Sequence, residues 1–390
     1  MGLGWGEGAG MSADLTNDGR AWLVRVPEVF AGVEGEVLAV LGAVGGVRLG
    51  QEFNVIKVGG VDAIRKSEAG LFVQWNLPLE HTWPCHPAKM EGFIEKAAQT
   101  LWKKFGERGP QGIFIGQLNP AAPDRYYRSL AANLRGRVLQ LFPALAAGAV
   151  EEQDPEKETL FGLVGKEGLF CGMSTPRAAN GFYPGGSKFI DQDAEATISR
   201  AGAKVAEALH YLRLHREVPA AGSHWLELGA CPGGMTAELL AREQRVTAVD
   251  RAPLDERLKG RAGLTFVHSD VTDFEPGAGV VYDAMLSDLN GPPEESIDEV
   301  IRLSGALKAG GLVVFTVKVA KVEAGSMAGT CARVRRIEQR AAGAGLRVVA
   351  RTHLTYNRHE FTVFLERVRG GSEEGGFAVG GGGPLTMKGE

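Results

Sequence analysis

The chain has 390 residues, a length that corresponds to two or three domains. Its composition, with 44% hydrophobic and 23% charged residues, is ordinary for a globular protein. The formal net charge of −4 argues against a strongly basic nucleic-acid-binding protein, and four dispersed cysteines without a CxxC pair encode neither a disulfide framework nor a zinc cluster. Because no apolar run reaches the roughly 20 residues that span a bilayer and the first ten residues lack signal-peptide features, we expect a cytoplasmic protein without a membrane partner.

The first half of the chain indicates an α+β region over residues 12–190, preceded by a disordered segment 1–11, with Met11 as an alternative start. Strand-like apolar runs occupy residues 22–30, 69–77, 112–120 and 158–174. Amphipathic patterns over 89–106 and 125–142 predict helices. His81, Cys85 and His86 invite a metal site, but without a fourth ligand at suitable spacing a packed loop is favoured, and we expect no metal.

The pattern changes near residues 180–195, a segment rich in Gly, Pro and Asp that we take as a domain boundary. A helix is expected to open at Ser199 as its N-cap. Short apolar runs then recur at 225–229, 245–250, 264–270, 282–288 and 311–318, with helical stretches at 236–244 and 296–310. This alternation predicts an open parallel sheet covered by helices over residues 191–369, ahead of a disordered tail 370–390.

Two further strands, 346–354 and 360–368, are too close together for a crossover helix, so the last strand should pair antiparallel as a hairpin. A parallel sheet that ends in such a hairpin is the shape of class I methyltransferases. The predicted fold class is therefore α/β, a Rossmann-like methyltransferase domain behind an α+β N-terminal region.

A glycine-rich turn between the first strand and its helix predicts a ligand site at the carboxyl end of the sheet. Its glycine spacing does not fit the GxGxxG dinucleotide fingerprint. The candidate contact residues of this turn are Glu227, Gly229, Ala230, Cys231, Pro232, Gly233 and Gly234. Asp250 ends the second strand, where a carboxylate can accept ribose hydroxyls, and Asp270 ends the third, placed to meet an exocyclic amine. Tight packing of the glycines and helix capping by the acids remain alternatives.

The LGACPGG turn resembles the adenosylmethionine-binding turn of the FtsJ-type ribose 2′-O-methyltransferases. The resemblance covers about 195–368 and is closest to the THUMP-containing family that acts on cytidine of large-subunit (23S) rRNA. It implies S-adenosyl-L-methionine as cofactor, with Asp288 also near it, and a Lys–Asp–Lys–Glu tetrad. By position, the tetrad is Lys204 in SRAGAKVAE, Asp288 in SDLNGPP, Lys318 in VVFTVKV and Glu360 in NRHEFTVFLER.

In this reading Lys318 is the general base, Lys204 the neighbouring cation, Asp288 the orienting group and Glu360 its support. A ribose 2′-hydroxyl is a weak nucleophile, and a lysine accepts its proton only as the neutral amine, which a second ammonium nearby favours. The four groups are expected to titrate as one cluster.

RNA contacts are expected from two arginine-rich segments, 125–137 with a charge of +4 and 331–351 with +5. The candidates are Arg125, Arg128, Arg135, Arg137, Arg333, Arg335 and Arg336, with Tyr126 and Tyr127 as stacking surfaces. Their charge is offset in the sum by segments 151–158 and 288–299, at −4 and −5. Solvated helix faces remain the alternative.

The function predicted from the sequence is a monomeric rRNA ribose methyltransferase that acts on rRNA or a pre-ribosomal particle. One alternative is a catalytically inactive RNA-binding assembly factor, which would not need two lysines and two acids at strand ends. A methyltransferase for another RNA, a small molecule or a protein is a third possibility, and a dehydrogenase is disfavoured by the glycine spacing.

Overall fold

The structure is a computed structural model that describes residues 20–43, 46–119, 125–142, 145, 154–192, 197–319 and 326–368. The predicted disorder of residues 1–11 and 370–390 lies outside the described residues, as does the first part of the acidic segment, 151–153. Within the described ranges, no helix is at once long enough and apolar enough to cross a membrane.

The N-terminal half is built on two four-stranded sheets. Its strands are β1 (Ala21–Arg25), β2 (Val47–Leu49), β3 (Phe53–Lys57), β4 (Trp75–Pro78), β5 (His81–Pro84), β6 (Gly112–Gln117), β7 (Thr159–Gly165) and β8 (Gly168–Ser174). Its helices are α1 (Glu34–Val40), α2 (Val61–Arg65), α3 (Phe93–Phe105), α4 (Tyr126–Leu141) and α5 (Pro176–Ala179). The first sheet has the order β2-β3-β1-β4 and the second β5-β8-β7-β6, in which only β6 and β7 run parallel.

The α+β prediction for this half is confirmed, but several of its elements were not predicted. β2, β3, α1 and α2 are short and have no long periodic pattern to reveal them. The predicted packed loop around His81 is wrong for residues 81–84, which form β5 and pair with β8. Proline at the end of β5 is tolerated because this strand lies at the edge of its sheet.

The C-terminal half contains one seven-stranded sheet. Its strands are β9 (His224–Leu228), β10 (Arg245–Asp250), β11 (Leu264–His268), β12 (Tyr282–Ser287), β13 (Leu307–Lys318), β14 (Leu346–Thr352) and β15 (Glu360–Arg367). Its helices are α6 (Ala201–Leu212), α7 (Gly234–Ala241), α8 (Pro293–Leu303) and α9 (Met327–Gly343). The strand order is β11-β10-β9-β12-β13-β15-β14. β9 to β13 run parallel and the final hairpin antiparallel, so the predicted fold class is confirmed.

The order of this sheet decides where functional groups meet. Strand order reverses at β9, which has β10 on one side and β12 on the other, and ligands of open α/β sheets bind beyond the carboxyl ends of the strands at such a point. The last strand, β15, inserts between β13 and β14. Its antiparallel register places Glu360 directly opposite Lys318.

The start of α6 differs from the sequence prediction. The helix begins at Ala201 with Arg200 in the N-cap position, and no side chain caps it. The Ser199 hydroxyl, predicted as the cap, has no hydrogen-bond partner. The Ser199 side chain instead packs against the start of α7, where an added Cβ on Gly234 would overlap its hydroxyl.

The two halves of the chain share a hydrophobic core. Phe30 of the N-terminal half stacks on Phe361 of β15 with ring centroids 5.2 Å apart, and Phe72 meets the same ring edge-on at 5.6 Å. All three side chains are fully buried. Each buried phenylalanine contributes roughly 1.5–3 kcal/mol, so these contacts hold the N-terminal half firmly against the hairpin that carries Glu360.

Candidate active site

A cavity of about 790 Å³ opens at the carboxyl edge of the seven-stranded sheet. All the predicted cofactor contacts except Gly233 line it: Glu227, Gly229, Ala230, Cys231, Pro232, Gly234, Asp250, Asp270 and Asp288. Lys318 and Ser199 also line it. The structure therefore brings together residues that are almost 120 positions apart in the chain, and most of them lie at the carboxyl ends of neighbouring parallel strands or just after them.

The glycines of the turn serve packing as well as access to the cavity. Gly229 has a φ of +79°, which other residues rarely adopt, and its Cβ position lies 3.1 Å from the Leu289 side chain. A Cβ on Gly233 would overlap Leu258, and one on Gly234 would overlap the Ser199 hydroxyl. Tight packing thus explains Gly233 and Gly234, whereas the backbone from Gly229 to Pro232 faces the cavity.

Glu227 is a carboxylate buried at the base of the cavity, with 1% of its surface exposed. The Thr236 hydroxyl donates a 2.7 Å hydrogen bond to Oε2, while Oε1 has no hydrogen-bond partner. Burial raises the pKa of Glu227 to about 8, the Thr236 bond opposes this, and the nearby Asp288 charge adds to it. An unpartnered buried oxygen that lines the cavity is available to a ligand group or to a water molecule.

Asp250 and Asp270 both orient backbone and line the cavity. Asp250 accepts the N–H groups of Cys231 at 2.9 Å and Ala252 at 2.7 Å, one on each carboxylate oxygen. Each oxygen keeps a second lone pair for a ligand hydroxyl. Asp270 caps the short helical turn that follows it, and its hydrogen bonds from Thr272 lower its pKa. Asp270 therefore caps this turn, as the alternative interpretation predicted, and it also lines the cavity.

Cys231 has the properties of a neutral side chain. Its Sγ lies 3.3 Å from the Pro253 carbonyl oxygen, and partial burial followed by the Asp250 charge raises the pKa of the thiol. A raised pKa keeps the thiol protonated, which argues against nucleophilic chemistry at this position.

The four predicted tetrad residues form one cluster beside the cavity. Lys204 Nζ lies 2.5 Å from Glu360 Oε1 and 3.3 Å from Asp288 Oδ2. Lys318 Nζ lies 3.3 Å from Asp288 Oδ1 on the other side. Burial lowers the pKa of Lys204, but the Asp288 and Glu360 carboxylates outweigh it and the net shift is upward. Lys204 is therefore held as a cation.

Two asparagines that the sequence analysis missed complete the cluster. Asn290 Oδ1 accepts a 2.7 Å hydrogen bond from Lys318 Nζ, which also donates to the main-chain oxygen of Asp288 at 3.3 Å. Asn357 donates to Glu360 Oε1 at 3.2 Å. Both lie within three residues of a tetrad acid, and an amide next to a strand-end carboxylate is the signal that would have found them.

The candidate RNA-binding arginines divide into two groups. Four have partners within the chain. Arg135 donates to the Ile113 carbonyl oxygen, Arg137 pairs with Glu95 at 2.6 Å, Arg333 pairs with Glu294 at 3.0 Å, and Arg335 pairs with Glu68. Arg125, Arg128 and Arg336 are exposed.

Known proteins resemble the part of the chain that carries this site. Residues 197–322 match the model of the FtsJ-like methyltransferase family. The FtsJ-type resemblance predicted from the sequence is confirmed. The ribosomal RNA large subunit methyltransferase M of Halorhodospira halophila is 32% identical over 167 residues, covering 43% of this chain and 47% of that protein. The protein of the same name from Photorhabdus laumondii is 26% identical over 176 residues, covering 44% and 46%. The matched part of the chain thus spans about half the length of these curated relatives.

Proposed function

We propose that the chain is an S-adenosylmethionine-dependent methyltransferase that modifies a ribose 2′-hydroxyl of rRNA, at a cytidine of the large-subunit (23S) rRNA. The observation that carries this proposal is the arrangement of Lys204 and Lys318 on opposite sides of Asp288 at the border of the cavity. Two lysines bridged by one carboxylate suit deprotonation of a weakly acidic hydroxyl. The FtsJ-like match over 197–322 and the names of the curated relatives support the same reaction and substrate.

The residues of the cavity fit S-adenosylmethionine. The unpartnered Oε1 of Glu227 suits the ammonium of its methionine part, and the free lone pairs of Asp250 suit its ribose hydroxyls. Asp270 would meet the exocyclic amine of the adenine. When bound, this cofactor supplies a methyl group on a positively charged sulfur, and the carboxylates around the cavity favour a cationic ligand.

The chain's own residues would handle the proton. Asp288 Oδ1 lies 3.3 Å from Lys318 Nζ and would orient this amine so that its lone pair meets the 2′-hydroxyl hydrogen. Lys318 Nζ would take the proton as the oxygen attacks the methyl group, with the Lys204 cation on the other side of Asp288. Glu360 keeps Lys204 in place through their 2.5 Å contact.

The assignments of domains and partners belong to the same proposal. We place the methyltransferase domain at 191–369 and assign a THUMP-like RNA-binding role to 12–190, which packs on the catalytic hairpin through Phe30 and Phe72. We further propose that the protein acts as a monomer, without a metal, on rRNA or a pre-ribosomal particle in the cytoplasm.

Mapping ribose methylation across rRNA and tRNA, in cells with and without this protein, tests the proposal directly. We expect loss of methylation at a single large-subunit site, restored by the wild-type chain and not by Lys318→Ala. Unchanged methylation at every site would contradict the enzymatic proposal and favour the RNA-binding assembly factor.

A further inference from the structure

Phe189 is the large apolar side chain with the highest exposed fraction among the described residues, at 65%. A single exposed apolar residue is common and by itself means little. What distinguishes Phe189 is that the backbones of both chain neighbours are hydrogen-bonded, that of Lys188 to Glu207 of α6 and that of Ile190 to Tyr356 in the segment that precedes Glu360. These bonds hold the backbone on both sides of Phe189 and so fix the point on the surface from which the exposed ring projects.

Glu207 provides the first attachment. Its carboxylate is buried and accepts the backbone N–H of Lys188, together with those of Thr355 at 2.9 Å and Tyr356 at 3.2 Å. Glu207 lies three positions after Lys204 on α6, so the two residues are neighbours on the helix surface. The segment that carries Phe189 is therefore attached one helical turn from the tetrad.

Tyr356 provides the second attachment. Its hydroxyl accepts the backbone N–H of Ile190 at 2.8 Å and donates to the carbonyl oxygen of the same residue at 3.1 Å. Asn357, the next residue, donates to Glu360. Phe189 thus lies between two anchored residues, next to the loop that leads into Glu360.

Charged side chains of both signs lie in the segments next to this ring, and exposed Asp191 follows it two positions later. Arg358 lies in the same loop as Tyr356 and is exposed, and Arg200 is exposed at the start of α6, four residues before Lys204. Aromatic rings beside cationic side chains are the usual binding surface of single-stranded nucleic acid, in which bases stack on the rings and phosphates meet the cations.

We propose that Phe189 is a stacking platform for an unpaired base of the RNA that flanks the methylated nucleotide, with Arg358 and Arg200 contacting its phosphates. This inference rests on the proposed function and specifies its substrate as single-stranded RNA at this face. Stacking on a fixed ring would hold the target ribose next to Lys318 without reading its sequence.

The test compares Phe189→Ala with Phe189→Trp and with Val281→Ala, a matched control that truncates another exposed apolar side chain at the opposite end of the parallel sheet. We would measure the Kd of a short, labelled single-stranded RNA by fluorescence anisotropy. The Kd of S-adenosylhomocysteine and the Tm would be measured in the same variants. We expect Phe189→Ala to bind RNA about tenfold more weakly. Phe189→Trp and Val281→Ala should stay near wild type, with ligand affinity and Tm unchanged throughout.

Arg358→Gln adds a second readout, because loss of a phosphate contact should reduce the slope of log Kd against log salt by about 0.7 for a single strand. RNA affinity within twofold of wild type in Phe189→Ala would overturn the inference, and so would a parallel fall in Tm or ligand affinity. The two proposals can fail separately. Methylation of deproteinised rRNA by the wild type, together with an unchanged Kd and KM for RNA in Phe189→Ala, would refute the stacking role of Phe189 and leave the proposed methyltransferase function in place. RNA binding through Phe189 without any methyl transfer would uphold the surface and contradict the function.

Discussion

Ligand binding at the cavity should depend on pH because of Glu227. This carboxyl group has its pKa raised from 4.5 to about 8, with burial as the main cause, so near neutral pH it is mostly protonated. A ligand ammonium at Oε1 needs the ionised form, and binding must then release one proton. Affinity should rise with pH by about tenfold, or about 1.4 kcal/mol, for each pH unit well below pH 8, and less steeply as the pH approaches 8.

The assay is calorimetry with S-adenosylhomocysteine, which carries the same amino-acid part as the cofactor. Titrations at pH 6, 7 and 8, in two buffers that differ in ionisation enthalpy, give both the Kd and the number of protons released. We expect release of about one proton at pH 6 and of about half a proton at pH 8. Glu227→Gln should remove the pH dependence, and Glu107→Gln, which changes an exposed carboxylate of the N-terminal half, should leave it intact.

The raised pKa of Glu227 also predicts how the stability of the folded protein changes with pH, which provides an independent check. A carboxyl group whose pKa is raised in the folded protein contributes stability that is complete below about pH 4.5 and is lost as the pH rises through about 8. The increase in Tm produced by the ligand should therefore grow with pH over this range. A Kd that varies less than twofold between pH 6 and 8, or an unchanged slope in Glu227→Gln, would refute the assignment of Glu227 to the ligand ammonium.

Three further predictions address the tetrad and its support. Lys318→Ala should abolish methyl transfer to rRNA, measured with radiolabelled cofactor, while the Kd of S-adenosylhomocysteine changes less than about threefold; retained turnover would contradict its role as base. Asn290→Asp adds a negative charge at the position 2.7 Å from Lys318 Nζ, and this charge favours the protonated amine. The acid limb of the pH–rate profile should therefore move to higher pH in Asn290→Asp, and it should not move in that direction in the control Asn290→Ala. Gly234→Ala should lower the free energy of unfolding by about 1–3 kcal/mol, because its Cβ would overlap Ser199 between α6 and α7; denaturant unfolding with an unchanged midpoint would show that the two helices separate freely.

Much of the catalytic half could be predicted because its chemistry lies at strand ends. Apolar runs locate the strands, and parallel pairing then brings their last residues to a common edge. The short link before Glu360 predicted the hairpin, and β15 inserts so that Glu360 faces Lys318. The positions of Lys204, Asp288, Lys318 and Glu360 in one cluster follow from this topology and from the family resemblance.

The features that escaped prediction depend on contacts between distant parts of the chain. Arg335 pairs with Glu68, a partner 267 residues away, which no local pattern reveals. The Ser199 cap was a sound local inference, yet α6 begins at Ala201 and the Ser199 side chain lies against Gly234 at the start of α7. Phe189 was not singled out because exposure of an apolar residue is a tertiary property. In each case tertiary packing overrides a local preference.

The arginine pairs also change what the net charge of −4 implies for RNA binding. Arg340 pairs with Asp298 and Arg351 with Glu338, so much of the positive charge counted over 331–351 is matched by neighbouring acids. Exposed pairs of this kind contribute about 0–1 kcal/mol, and RNA phosphates can replace the acids at little cost. The net gain in binding free energy for each such exchange is therefore small, because the arginine replaces a carboxylate partner with a phosphate partner. RNA affinity should then depend on the unpaired exposed cations and on stacking, and it should change only weakly with salt concentration. A slope of log Kd against log salt that corresponds to more than about five phosphates would contradict the conclusion that most of these arginines contribute little to RNA binding.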